Sequence, residues 1–162
     1  MPWQQLGGKA SGFTVIELIS VVVILGIVTA AAIPLMSSRS AYDERFFYDD
    51  LLQALRFSQR LSVASGCSVQ VTLSGTSFSL LQDSTCNSAS PVFDKTVYLP
   101  GSGEAYQNND LPSGTTYTTS INPIIFNSLG QAVNSSASVF VQATIVVGGR
   151  SILVDGETGF AR

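Results

Sequence analysis

Apolar and polar positions divide the chain into three unlike stretches. From Phe13 to Met36 the side chains are almost continuously apolar, and Glu17 is the only charge. At about 1.5 Å per residue, a helix over 13–36 matches a hydrocarbon core of roughly 30 Å, so it is expected to span a membrane. From Ala41 to about Ala64 the pattern changes. Phe47, Leu51, Ala54, Leu55, Ser58 and Leu61 recur at helical spacing, with Asp43, Asp49, Asp50, Arg56 and Arg60 on other faces. This predicts an amphipathic continuation of the first helix over 37–66, one side packed on a sheet and the other free to meet other chains.

Residues 67–162 read as antiparallel strands. Val69, Val71 and Leu73 alternate with polar residues, then Ser74-Gly75-Thr76 marks a turn into Ser77-Phe78-Ser79-Leu80. Val97 and Leu99 start another strand before Pro100-Gly101, and a polar loop is expected from there to Ser120. Ile124, Ile125 and Phe126 rise before a turn at Gly130. Val139, Val141, Ala143, Ile145 and Val147 hold one face of a strong strand, and Gly148-Gly149 turns it into Arg150–Val154. The expected class is α+β, a long N-terminal helix packed on a C-terminal antiparallel β-sheet domain.

Two positions interrupt the first helix. Pro34 removes a backbone donor and clashes with the carbonyl of Ala30, and Gly26 weakens the helix two turns earlier, so a kink or loosening is expected. Spanning helices also tolerate both residues. Glu17 follows Thr14 at capping-box spacing, which alone explains an acid one turn into the span. An acid at the bilayer centre costs about 2.5–3.5 kcal/mol, and less near an edge.

The segment before the span is short and polar, with Lys9 its only charge and glycines at 7, 8 and 12. A secretory signal peptide has its cleavage site after the apolar run; here the small residue precedes it. Cutting after Gly12 leaves the span on the mature chain with Phe13 as its new amino terminus.

Gly12, Phe13, Thr14, Glu17-Leu18 and the apolar helix after them, with Gly26 and Pro34, resemble the type IV prepilins and type II secretion pseudopilins. The resemblance implies a leader of residues 1–12, cleavage between Gly12 and Phe13 by a prepilin peptidase, and N-methylation of Phe13. It also implies that Glu17 meets the Phe13 amino group of a neighbouring subunit, so that cleavage creates the partner of a buried carboxylate. Phe13, Glu17, Gly26 and Pro34 are the expected assembly residues, and the expected architecture is the pilin fold.

The implied location is the inner membrane, single-pass, with the C-terminal domain in the periplasm and then in a pilus or pseudopilus. The implied partners are the peptidase, other major and minor pilins or pseudopilins, and inner-membrane lipid before assembly. Ala54-Leu55-Arg56, the hairpin after it, the Ile125-Phe126 strand and a terminal glycine-rich hairpin ending in arginine resemble the GspH/FimT group, which implies a minor subunit near the tip.

Some members of that group bind DNA through a C-terminal glycine-arginine-x-arginine motif. The match here is Gly159-Phe160-Ala161-Arg162, in which Phe160 stands where the first arginine falls. Arg150 and Arg162 remain as weak DNA contacts, because two arginines release only a couple of counterions. DNA is therefore not the expected partner. A DNA-binding subunit for uptake and a non-assembling membrane-anchored periplasmic domain are the alternative readings.

Composition narrows the chemistry. The roughly 126 residues after Met36 suffice for one core, and charged residues make up 12% of the chain. Without Lys9 there are seven basic and eleven acidic side chains, which argues against a broad basic surface. Charges flank the span on both sides, Lys9 before it and Arg39 and Arg45 mixed with Asp43 and Glu44 after it, so charge alone gives no orientation.

Histidine is absent. No nucleophile motif or paired carboxylate stands at a distinctive spacing, so no enzyme, metal site or cofactor is expected. Asp49-Asp50 reads as an exposed pair, and Asn108-Asn109-Asp110 lacks an EF-hand pattern. Cys67 and Cys86 bracket the predicted hairpin, so a disulfide would tie its ends and contribute roughly 3 kcal/mol. Two buried free thiols are the alternative.

Overall fold

A computed structural model describes residues 12–36, 39–86, 90–140 and 142–162, with side chains described outside 30–40. The leader expected over 1–12 lies outside the described residues up to residue 11, as do residues 37–38 and 87–89 and Val141. The chain divides into two compact units, one ending at Arg39 and the other running Ser40–Arg162. Among the described residues it is an α+β protein with two helices and antiparallel sheets.

Helix α1 covers Val15–Met36 and α2 covers Arg39–Ser65. The backbone of α1 runs through Gly26 and Pro34 without a break. A proline removes one helical hydrogen bond, and the bonds on either side carry the helix past it.

The strands of the second unit are β1 (Val69–Ser74), β2 (Ser77–Asp83), β3 (Phe93–Thr96), β4 (Gln107–Asn108), β5 (Tyr117–Thr119), β6 (Ile124–Phe126), β7 (Ala132–Val133), β8 (Gln142–Val147) and β9 (Arg150–Asp155). They form two sheets. The first runs β3-β2-β1-β6-β7 with β4 also on β2, and the second runs β5-β8-β9.

The β1–β2 hairpin follows the alternation read from sequence. Ser74 pairs Ser77 across a turn in which Gly75 takes φ 58°, a left-handed conformation that favours glycine. Leu73 then faces Phe78 and Val71 faces Leu80, which puts the buried residues on one side of the sheet. Cys67 and Cys86 form a disulfide at the open end, with Cα atoms 4.4 Å apart. Beside it, Asp83 accepts hydrogen bonds from the Thr85 amide and hydroxyl and from the Val92 amide, so one buried carboxylate holds both ends of the 84–92 connection.

A single core joins α2 to both sheets. Phe47, Leu51, Ala54 and Leu55 pack with Val69, Val71, Phe78 and Leu80 of the first sheet and with Ala143, Ile145, Ile152 and Val154 of the second. Phe47 and Phe78 meet edge to face at 5.6 Å. Each large apolar side chain fully buried here contributes about 1.5–3 kcal/mol.

Three local expectations are corrected. The strand expected at Val97–Leu99 lies earlier, at Phe93–Thr96; Val97 and Leu99 instead bond to Tyr106 and Glu104 in a narrow ladder bridged at Tyr98 and Ala105. The stretch expected as loop from Pro100 to Ser120 contains β4 and β5. Short polar strands carry little alternation, and Tyr117–Thr119 is held as an edge by β8. Val139 is 44% exposed and pairs Val133 only through an isolated bridge; Val141 lies outside the described residues, and the described strand runs Gln142–Val147.

The C-terminal tail closes the second sheet. Leu153 and Arg162 exchange two backbone hydrogen bonds, and the Asp155 amide donates to the carbonyl of Phe160. From α2, the Arg56 Nε donates to the carbonyl of Ala161 at 2.9 Å, and its guanidinium lies 5.8 Å from the Phe160 ring centre. Gln59 donates to the carbonyl of Thr158. Gly159, at φ 66°, passes so close to the Gly130 carbonyl that a Cβ there would collide with it.

Candidate assembly surface

Gly12 and Phe13 precede the first turn of α1, and Phe13 is 85% exposed. The Glu17 amide donates to the Thr14 hydroxyl at 3.3 Å, and the carbonyl of Thr14 accepts from Leu18. Thr14 thus caps the helix start. Among the described residues the Glu17 carboxylate has no hydrogen bond or ion pair, so the reciprocal half of a capping box is not made. The side chain is exposed and free to be paired from outside.

Beyond this cap, α1 is apolar on every side. Val15, Ile16, Leu18, Ile19 and the valines, isoleucines and leucine from Val21 to Val28 are all exposed, from 48% to 75%. Ser20 and Thr29 donate their hydroxyls back to the carbonyls of Glu17 and Leu25, so the polar groups in the stretch are satisfied within the helix. A Cβ placed on Gly26 would meet nothing within 4 Å. This glycine borders open space. Pro34 lies within α1, and its side chain lies outside the described residues.

A helix apolar all round belongs in a core or in lipid. Among the described residues, no helix is long and apolar enough to cross a membrane. The described side chains of α1 end before residue 30, and Val15–Thr29 measures roughly 22 Å against a hydrocarbon core of about 30 Å.

Arg150 and Arg162 are not brought together. Along β9, Ile152 and Val154 face the core, and Arg150 shares their side at the strand start. Arg162 pairs with Leu153 and so takes the opposite face, beside Asp155. Hydrogen bonds from the Thr158 side chain and then its amide hold the Asp155 carboxyl below its ordinary range, with Arg162 adding a smaller effect. An anion therefore already accompanies Arg162. Phe160, in the place of a motif arginine, serves as the ring against which Arg56 lies.

Two features of α2 differ from or go beyond their reading in the sequence. Arg56 is half-buried against the tail, although its charge marked it as a surface residue. Tyr42 and Phe46 are 71% and 70% exposed. The signal for the second was present, because Phe46 is one of two adjacent phenylalanines and only Phe47 falls on the apolar stripe. Among the described residues no group of three or more cysteine and acidic side chains is placed to hold a metal ion. No protein-family model, curated protein or solved structure matches the chain.

Proposed function

We propose that the chain is a minor pilin or pseudopilin, a structural subunit that a prepilin peptidase cuts between Gly12 and Phe13 and that then assembles into a type IV pilus or type II secretion pseudopilus near its tip. In this reading α1 is a single-pass inner-membrane anchor before assembly and filament core afterwards. The second unit, with the pilin arrangement of a helix on antiparallel sheet, sits in the periplasm.

One observation carries the reading: an exposed helix that is apolar on all sides, headed by a Gly12-Phe13 bond and bearing one unpartnered carboxylate at Glu17. Twelve large apolar side chains from Phe13 to Val28 are exposed. At about 1.5–3 kcal/mol for full burial of each, covering even half of that area rivals the whole stability of a domain, about 5–15 kcal/mol. Lipid and neighbouring helices both supply such cover. The new amino group of Phe13 on a neighbour would neutralise Glu17, and pairing in a low-dielectric setting fixes the axial register. The disulfide fits an oxidising compartment such as the periplasm.

The test is the intact mass of the chain recovered from membranes of cells with an active prepilin peptidase. Loss of residues 1–12 with a methyl group on Phe13 is the expected result. A full-length chain in those cells would overturn the reading.

A further inference from the structure

The first sheet has two faces, and only one is packed on α2. Val69, Val71, Ile124 and Phe126 point into the core, so their neighbours Gln70 and Ile125 point away from it. Gln70 pairs Ile125 and Ile125 pairs Val133, which sets the three side by side in a row across β1, β6 and β7. Although this row faces away from α2, Ile125 and Val133 are only 8% and 5% exposed. They belong to the lining of a groove of about 700 Å³, to which Phe93 and the turn over 134–137 also contribute. Small-molecule sites have volumes of about 300–1,000 Å³.

The polar groups of the groove are hydroxyls and amides, and among the described residues no charged side chain lines it. Ser68 is 6% exposed, and its hydroxyl has no hydrogen bond among the described residues. Gln70 donates from Nε2 to the Thr72 hydroxyl at 2.8 Å, which leaves its carbonyl oxygen open. Asn134 accepts the Ser136 and Ser138 amides on Oδ1 at 2.9 and 3.1 Å, which leaves its Nδ2 hydrogens open. An open acceptor, an open donor and a hydroxyl able to act as either thus border one apolar floor.

These groups select the occupant. An ion would lose its hydration here with no opposite charge to meet. An added peptide strand needs an unpaired sheet edge, whereas β1 and β6 beneath this groove are each paired on both sides. A sugar ring matches what is present: its C–H faces are apolar, and each of its hydroxyls both donates and accepts. We propose that the groove binds a neutral saccharide of a few rings, with Phe93, Ile125 and Val133 against the ring faces and Ser68, Gln70 and Asn134 on the hydroxyls. All of these residues lie in the second unit, so the inference goes beyond the reading of α1 and stands apart from it.

The test follows the methyl signals of Ile125 and Val133 in the full-length chain in lipid nanodiscs while maltotriose, cellotriose or chitotriose is added to about 10 mM. At least one of the three is expected to shift both residues saturably, with a Kd of about 1 mM or tighter. Gln70→Leu keeps a strand-forming residue and removes the open carbonyl, and should weaken binding about tenfold. Ser136→Tyr, on the exposed turn, should weaken it about as much by filling the groove. The methyl signals of Leu51 and Leu55 in the core report that each variant is folded. No saturable shift with any of the three sugars, shifts confined to other residues, an equal or stronger response to trigalacturonate or to end-blocked trialanine, or undiminished binding by either folded variant would each overturn the proposal.

Discussion

Helices α1 and α2 follow one another in sequence and meet opposite fates. α2 is polar on one side and buries Phe47, Leu51, Ala54 and Leu55 in a core built with two sheets of its own chain. α1 is apolar on all sides, and its described side chains stay exposed. A helix with one apolar stripe is completed by one surface, and the chain supplies that surface. A helix apolar all round has to be enclosed, and 22 residues of it have to be enclosed by something other than a small sheet. Folding of the second unit and burial of the first helix are therefore separate problems, and in the proposed reading lipid and neighbouring subunits solve the second.

The sharpest break in the comparison comes from equivalent truncations in the two helices. Leu55→Ala should cost the second unit about 2–5 kcal/mol in denaturant unfolding, because it opens a cavity in a fully buried site. Leu25→Ala in α1 should change the same transition by less than about 0.5 kcal/mol. Equal losses would mean that the two helices share one core.

Removal of the disulfide comes next. Cys67→Ser with Cys86→Ser should lower stability by roughly 3 kcal/mol, read as a drop in the urea midpoint that reductant reproduces in the native chain. An unchanged midpoint would leave the hairpin ends held by the sheet and Asp83 alone.

A smaller effect is expected at the tail. Arg56→Met keeps the aliphatic stem but loses the bond to the Ala161 carbonyl and the contact with Phe160, at about 1–2 kcal/mol. The Leu153 amide, which bonds to Arg162, should then exchange faster with solvent. Faster exchange confined to other segments would refute the latch.

The pH dependence is the mildest. Burial, and secondarily the Asp50 carboxylate, hold the Tyr106 phenol above its ordinary value of 10.0. The folded state therefore keeps its proton longer than the unfolded state, and this contribution is fully present below pH 10 and is lost as pH rises through the folded pKa. Tyr106→Phe should flatten the alkaline decline in stability. An unaltered decline would assign it to other groups.

Much of this contrast was legible before any coordinates. Continuous apolarity marked α1, a 3.6-residue stripe marked α2, and strict alternation marked the β1–β2 and β8–β9 hairpins, each with glycine at its turn. The two cysteines pointed to their bond because they flank one of those turns.

Long-range dependence hid the rest. Tyr117–Thr119 is a strand only because β8 offers it an edge, and Arg56 is half-buried only because the tail returns across α2. Neither fact leaves a periodic trace. The division into two sheets was equally silent, since alternation records which face is buried and not which strand lies alongside. At the N-terminal site, residue types and spacing were plain. The exposure of Glu17 and of α1 around it needed coordinates.

Hydrogen–deuterium exchange of the full-length chain reconstituted in membranes tests the central proposal most directly, that α1 is enclosed by lipid or other subunits. Amides from Ile19 to Thr29 should be protected at least as strongly as those of Leu51–Leu55 in α2, and should remain so when Leu55→Ala weakens the core. Rapid exchange across α1 in the membrane, or protection that collapses together with the α2 core, would contradict it.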